Sequence, residues 1–354
     1  VDEFKIDSHK LNFHVSRVDQ WLKEGDTYPI YAEVAPAGAC NHRCTFCALD
    51  YLDYKTQFIE KKALIKVLSD MAGCGLKSVM FAGEGEPLLH KGIVELVLHA
   101  KGAGLDTAIT TNGVLLGRDM ARDMLPALSW LRFSLNAGTA KTYSQIHRCN
   151  EGDFEKVLEN IEDAVKVKRS EKSNCTIGAQ FLLLRDNHKE AKTLAGLLKK
   201  IGVDYLIIKP YSPHPKKKEK LIGSFDYSAQ MGLADELKKF SDSGFAVIFR
   251  AHAMTKLNGN KLYKKCLGLP FWTYIDSSGS IYACSSFLGD EKFCYGNIGR
   301  GPFREIWKGE KRKGVLDMFA KSFDISGCRK ACRLDEVNRY LWELKHPGPH
   351  VNFI

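Results

Sequence analysis

The chain has 354 residues, 44% hydrophobic and 27% charged, the balance of a globular protein long enough for about two domains. No apolar run reaches the roughly 18 residues of a membrane span, and the opening VDEFKIDSHK lacks a secretion-signal pattern, so a cytoplasmic protein with no membrane partner is expected. Lys and Arg (52) exceed Asp and Glu (42), giving a net charge of +10 that suits nucleic acid, a membrane surface or an acidic small substrate and selects none of them. The 11 cysteines are more selective: an odd count without a secretion signal argues against a disulfide framework and for metal ligation or catalysis.

Residues 1–26 read as an N-terminal extension. From position 28 onward, short β-rich runs alternate with amphipathic stretches. The β runs are YPIYAEVAP (28–36), SVMFAG (78–83), DTAITTN (106–112), WLRFSLN (130–136), NCTIGAQFLLL (174–184) and DYLIIKPY (204–211). Segments such as FIEKKALIKVLSDMAG (58–73) and NHKEAKTLAGLLKKIG (187–202) between them repeat apolar residues at helical spacing. Six β–α repeats predict a parallel sheet with crossover helices, open or curled as a barrel, with its active site at the strand C-termini. PHPKKKEK (213–220) reads as an exposed basic loop, and FAVIFRAH (245–252) as a seventh strand. From Cys266 the pattern becomes local. WTYID (272–276) and SIYACS (280–285) flank Ser277-Ser278-Gly279 as a hairpin, and REIWKGEKRKGVLDMF (304–319) and DEVNRYLWELK (335–345) read as covering helices. The domain change is placed near residue 250, dividing 27–250 from 251–354.

Cys40, Cys44 and Cys47 form C-x3-C-x2-C in the loop after the first strand. Zinc sites usually close a tetrahedron from two short-spaced pairs, and none closes nearby, although His42 lies between the first two thiols. Three thiolates suit a [4Fe–4S] cube with one iron left open. Cys266, Gly279 and Cys284 form C-x12-G-x4-C, followed by Cys328 and Cys332 as C-x3-C. Four thiolates can close a second cube, or hold zinc.

The triple, placed after the first strand of a βα-repeat sheet, resembles the radical S-adenosylmethionine (SAM) superfamily. Further segments match in order over about residues 28–211. Phe46, before the third cysteine, matches the position that stacks near the SAM adenine. AGEGEP (82–87) resembles the family's GGEP motif, which implies that its backbone, at Gly83 and Gly85, and either Glu84 or Glu86 hold the SAM amino group. TTNG (110–113) and SLN (134–136) resemble strand ends whose polar side chains, here Thr110, Asn112, Ser134 and Asn136, approach the ribose and carboxylate; Gln180 is a weaker match. The C-terminal cysteines resemble the SPASM/twitch subdomains appended to such cores, the shorter one-cluster form matching better, though the final C-x3-C departs from the pattern. The resemblance implies a partial (β/α)6 TIM-like barrel with a small β-hairpin and helix iron–sulfur subdomain. It also implies SAM, a SAM-binding [4Fe–4S] cluster, an auxiliary [4Fe–4S] cluster and a flavodoxin- or ferredoxin-type reductant.

Of the remaining cysteines, Cys74 and Cys175 precede strands at the far end and read as buried and inert. Cys149 and Cys294 are candidate hydrogen donors, because radical epimerases of this superfamily return a hydrogen atom from a thiol. Strand-6 and strand-7 ends supply candidate substrate contacts, Lys209, Tyr211, His214, Arg250 and His252, with Lys216, Lys217 and Lys218 behind them; Glu33 alternates with apolar neighbours on the first strand and is expected to point inward. The expected function is hydrogen abstraction by a 5′-deoxyadenosyl radical from a small polar molecule, such as a sugar, nucleotide sugar or aminocyclitol, phosphorylated or not, leading to oxidation or epimerisation; the basic strand-6 end would suit phosphate or carboxylate groups. The alternative is modification of a ribosomal peptide, weighed down by the fewer than 30 residues ahead of the first strand. A remote third reading is a non-catalytic iron–sulfur or zinc protein binding nucleic acid, disfavoured because its basic residues are dispersed.

Overall fold

A computed structural model describes Ile6 and residues 8–217, 225–257 and 259–353. Ten strands form one sheet: β1 (Tyr31–Val34), β2 (Ser78–Phe81), β3 (Asp106–Thr111), β4 (Leu128–Ser134), β5 (Thr176–Leu183), β6 (Tyr205–Pro210), β7 (Ala246–Phe249), β8 (Trp272–Ile275), β9 (Ser280–Tyr282) and β10 (Cys294–Asn297). The order is β10-β9-β8-β1-β2-β3-β4-β5-β6-β7. Strands β1 to β7 pair in parallel in chain order, and β7 and β10 are the free edges, so the barrel is partial.

The seven expected β runs all form strands. The C-terminal region, expected to be local, is not. β8 pairs in parallel with β1, matching Tyr31 to Trp272 and Val34 to Ile275, so the hairpin extends the main sheet. Its turn is tied by the Asp276 carboxylate, which accepts from the Ser278 and Ser280 amides, while Gly279 adopts a left-handed φ of 78°. A third, bulged strand, β10, adds antiparallel to β9, too short to show in the pattern. The expected helix over 304–319 is two helices, Phe303–Lys308 and Glu310–Lys321, separated by Gly309.

Period-two alternation gives the sheet two faces. Ala32, Val34, Val79, Phe81, Ile109, Leu131, Phe133, Ile177, Ala179, Leu206 and Ile208 pack outward against the helices in one buried core. The helix Lys61–Gly73 shows why these segments fold so: Glu60 caps the Lys62 and Ala63 amides, and Leu64, Val67, Leu68 and Met71 bury one stripe. The alternate residues face inward. They mix apolar Met80, Ala108 and Ile207 with polar Glu33, Arg132, Gln180 and Lys209, Met80 lying level with Glu33 and Ile207 with Gln180. The N-terminal helix Val15–Glu24 packs Val18 and Trp21 against Phe271 and Leu341, joining the two chain ends. No helix among the described residues is long and apolar enough to cross a membrane.

Candidate active site

The triple-cysteine loop lies between β1 and the helix Lys61–Gly73. Arg43 shapes it, donating to the carbonyls of Cys40 (2.6 Å) and His42 (2.8 Å). The Arg43 and Thr45 amides donate to the His147 and Ile146 carbonyls at 3.0 and 2.8 Å, docking the loop on the end of the helix Ala140–His147. The run expected as an exposed basic loop braces the other side. Lys217 is buried, donates to the Thr45 carbonyl at 2.6 Å and pairs with Asp50 at 3.2 Å. Lys216 is exposed and pairs with Asp290, while Lys218 lies outside the described residues.

The donor set fits an iron–sulfur cluster. Cys40, Cys44 and Cys47 are free thiols, and the His42 amide donates to the Cys40 sulfur at 3.5 Å. Burial pushes the Cys40 thiol up to about 11 and Cys44 well above its usual value, with each neighbouring thiol adding to the effect. Buried acidic thiols held near one another are disfavoured as free thiolates and favoured as metal ligands.

The ligand atoms of His42, Cys44 and His147 also lie within 4.8 Å of one another, and so do those of His42, Cys149 and Asp153. Asn136 decides the protonation of His147. Its Oδ1 accepts from the Leu182 amide at 2.7 Å, so its Nδ2 faces His147 Nε2 at 3.3 Å. That nitrogen must accept, which places the imidazole proton on Nδ1, 3.4 Å from the Cys44 sulfur. Burial holds His147 well below the usual imidazole pKa, consistent with a neutral ring. His147 therefore donates to Cys44 and offers no lone pair to a metal beside it. The His42 ring instead meets Asp153 at 3.3 Å.

The GEGEP segment is stitched to this loop. The Glu86 amide donates to the Ala39 carbonyl at 2.8 Å. A Cβ on Gly85 would lie 2.3 Å from the Ala37 and Ala39 carbonyl oxygens, and one on Gly83, whose φ is 124°, 2.4 Å from the Ala35 Cβ. Only glycine permits this approach. Both carboxylates have work inside the protein that the motif did not reveal. Glu86 accepts from Thr111 Oγ1 (2.6 Å) and the Asn112 and Leu88 amides (2.8 and 3.0 Å). Glu84 accepts from the Ser277 amide at 2.7 Å, tying the motif to the hairpin turn. Burial raises both to about 7.

Above the inner face lies a cavity of about 600 Å³. Phe46, Cys47 and Gly83 line it together with Cys284 and Cys332 of the second cysteine set and with Glu33, Gln180, Lys209, Tyr211 and Arg250. Other expected residues do not line it. Asn136 is a buried scaffold, Asn112 Nδ2 donates to Asn41 Oδ1 at 2.7 Å, Thr110 accepts from Arg132 at 3.2 Å, and Ser134 is partly buried at the end of β4. His214 stacks on Tyr51 with ring centroids 5.0 Å apart, outside the cavity. His252 is an exposed residue of the helix Ala251–Thr255, because β7 ends at Phe249 and the chain turns helical before reaching it. The two candidate hydrogen donors are also displaced. Cys149 packs behind the cysteine loop beside Asp153 and Cys44. Cys294 is buried in β10, its thiol 3.4 Å from the Gly296 carbonyl.

Sequence reasoning missed Arg132, Arg329 and Arg333, which also line the cavity. Arg333 pairs with Glu33 at 2.7 Å, and Lys256 with Asp335 and Glu336. Lys209 has no hydrogen-bond or carboxylate partner among the described residues. Burial, then the guanidiniums of Arg132, Arg250, Arg329 and Arg333, hold its pKa well below the ordinary lysine value.

The second cysteine set also converges. Cys266, Cys284, Cys328 and Cys332 lie close enough that each thiol's pKa is raised by one or more of the others. The Ser286 and Leu334 amides donate to Cys284 (3.5 Å) and Cys332 (3.4 Å), and Asn338 Nδ2 to Cys266 (3.6 Å). Four soft donors ringed by N–H groups suit an all-thiolate cluster.

Comparison with known proteins agrees with this geometry. The Radical SAM superfamily model matches residues 34–197, and that of the SPASM iron–sulfur cluster-binding domain residues 266–333, a span holding all four cysteines of the second set. A GTP 3',8-cyclase of Chlorobaculum tepidum is 31% identical over 189 residues, 52% of this chain and 55% of that protein, so the chain spans about half the length of that relative. A tungsten-containing aldehyde ferredoxin oxidoreductase cofactor-modifying protein of Pyrococcus furiosus is 23% identical over 306 residues, 80% of this chain and 81% of that protein. Streptococcus suis SuiB bound to S-adenosylmethionine shares the fold with a TM-score of 0.66 at 17% identity, over 96% of this chain and 80% of that one. The radical SAM domain implies a [4Fe–4S] cluster with SAM, which the first three thiols fit, and the SPASM domain implies auxiliary iron–sulfur binding, which the second set fits. The chain carries a radical SAM superfamily domain over residues 34–197 and a C-terminal SPASM iron–sulfur cluster-binding domain over residues 266–333.

Proposed function

We propose that this chain removes a hydrogen atom from a small polar molecule held in the cavity that both cysteine sets reach, and that the outcome is oxidation. When bound, the two clusters and SAM supply one-electron cleavage of SAM to a 5′-deoxyadenosyl radical and an acceptor for a substrate electron. The observation that carries the reading is that Cys47 of the first set and Cys284 and Cys332 of the second line one and the same cavity. Phe46, Leu182 and Trp272 give it apolar wall that excludes water, and Glu33, Gln180 and Tyr274 offer polar groups to orient hydroxyl or amino functions. Epimerisation is less well supported, because neither Cys149 nor Cys294 reaches the cavity.

Relatives named as a GTP cyclase and a nucleotide dehydratase support a small-molecule substrate. A peptide substrate is the second reading, supported by the chain's own Ile6, Ser8 and His9, which line the cavity. An acidic flavodoxin- or ferredoxin-type donor suits a chain of net charge +10.

The test is anaerobic reconstitution followed by dithionite and SAM. 5′-Deoxyadenosine formation, stimulated by extracts of small metabolites and carrying deuterium from a labelled substrate, is expected. Absence of SAM turnover in protein with both clusters loaded overturns the reading, and stimulation only by peptides selects the second one.

A further inference from the structure

Six cationic side chains line the cavity, Arg132, Lys209, Arg250, Lys256, Arg329 and Arg333, against three carboxylates, Glu33, Asp335 and Glu336. The carboxylates are committed: Glu33 to Arg333, and Asp335 and Glu336 to Lys256. Positive charge therefore remains on Arg132, Lys209 and Arg329, and none of these three has a carboxylate partner among the described residues. Arg132 donates one N–H to Thr110 and Arg329 one to the Ser212 carbonyl, yet the Nε of each is buried without a partner. A folded protein keeps such charges together only when something bound completes them.

We propose that the substrate carries a phosphoryl group, seated among Arg132, Lys209 and Arg329. This rests on the reading of the cavity as the substrate site. The geometry favours phosphoryl over carboxylate. The three cations come from β4, β6 and the C-x3-C loop, so they approach from different directions. A tetrahedral group presents three oxygens to such a set, whereas a planar carboxylate is best matched by one guanidinium fork. Charge agrees in sign, because six lining cations outnumber three lining carboxylates around an anion near two negative charges. Negative charge on the second cysteine set, when loaded, falls chiefly on Arg329 and Arg333, which flank those thiols in sequence. Arg132 and Lys209 rise from the sheet.

The experiment uses the reconstituted enzyme with both clusters and SAM, titrated with inorganic phosphate, pyrophosphate and malonate by calorimetry. Phosphate or pyrophosphate is expected to bind at least about tenfold tighter than malonate, with binding weakened at least about tenfold in Lys209→Met and unchanged in Lys101→Gln, an exposed cation on the helix Ile93–Gly102. The wild-type comparison of the three anions stands without any variant. Malonate binding as tightly as phosphate overturns the phosphoryl assignment. Phosphate binding that survives Lys209→Met intact overturns its location. Absence of anion binding in an enzyme that still forms 5′-deoxyadenosine overturns the inference alone. Phosphate binding without SAM cleavage supports the anion site and overturns the radical reading.

Discussion

The Nδ1 of His147 lies 3.4 Å from the sulfur of Cys44, and Asn136 dictates that this nitrogen carries the proton. A hydrogen bond to a cluster thiolate stabilises the added negative charge of the reduced state and so raises the reduction potential. His147→Phe removes the donor. Asn136→Asp places an acceptor at Nε2, draws the proton there and turns a lone pair toward Cys44. Both variants should show a more negative midpoint potential for the SAM-binding cluster in an EPR-monitored redox titration. An unchanged potential with intact iron content would show that the contact does not tune the cluster.

Glu86 is a clamp between two loops. Its carboxyl group accepts from Leu88, Thr111 and Asn112, and its own amide holds Ala39 beside the first cysteine. Glu86→Ala strands three donors in a buried place. A loss of about 1–3 kcal/mol is expected, read as a lower denaturant midpoint, together with weaker SAM binding. Glu86→Gln keeps one acceptor and should fall between. If the alanine variant unfolds like the parent, the clamp is not what positions these loops.

These two cases mark where the sequence is informative. Alternation along β1 to β7 and the turn at Ser277-Ser278-Gly279 are local patterns, and local patterns survive in sequence. The cysteine spacings are also local, which is why both metal sets were legible. His147 meets Cys44 across 103 positions, and nothing near either residue signals the other. Arg132 alternates correctly with Trp130 and Ser134, yet only closure of the sheet shows that it shares a cavity with Lys209 and Arg329. Lys217 read as solvated because runs of lysine usually are; its burial depends on Asp50 and Thr45 across the fold. His252 failed for the opposite reason, since β7 ended three residues before it.

Cys332 separates the two cysteine sets. Its sulfur accepts from the Leu334 amide, and the residue lines the cavity that Cys47 also lines. Cys332→Ser should lower iron from about eight to about four atoms per chain, as expected for loss of one cube of two. SAM cleavage without substrate turnover should persist. Iron content equal to the parent's would remove Cys332 from the ligand set, whereas loss of all iron would mean that the two sets fold as one unit.

His214 makes stability depend on pH. It is buried against Tyr51, and burial, followed by the charges of Arg329 and Lys216, lowers its pKa from 6.5 to about 4. Between those values the unfolded chain binds a proton that the folded chain refuses, so stability rises with pH across the window. The contribution is complete above about 6.5 and is lost as pH falls toward the folded value. His214→Phe preserves an aromatic partner for Tyr51 and cannot titrate. Its denaturant midpoint should change less between pH 7 and pH 5 than the parent's, measured anaerobically on equally loaded protein. Parallel curves for the two proteins would show that His214 is solvated in the folded state and that the strap it belongs to does not close over Tyr51.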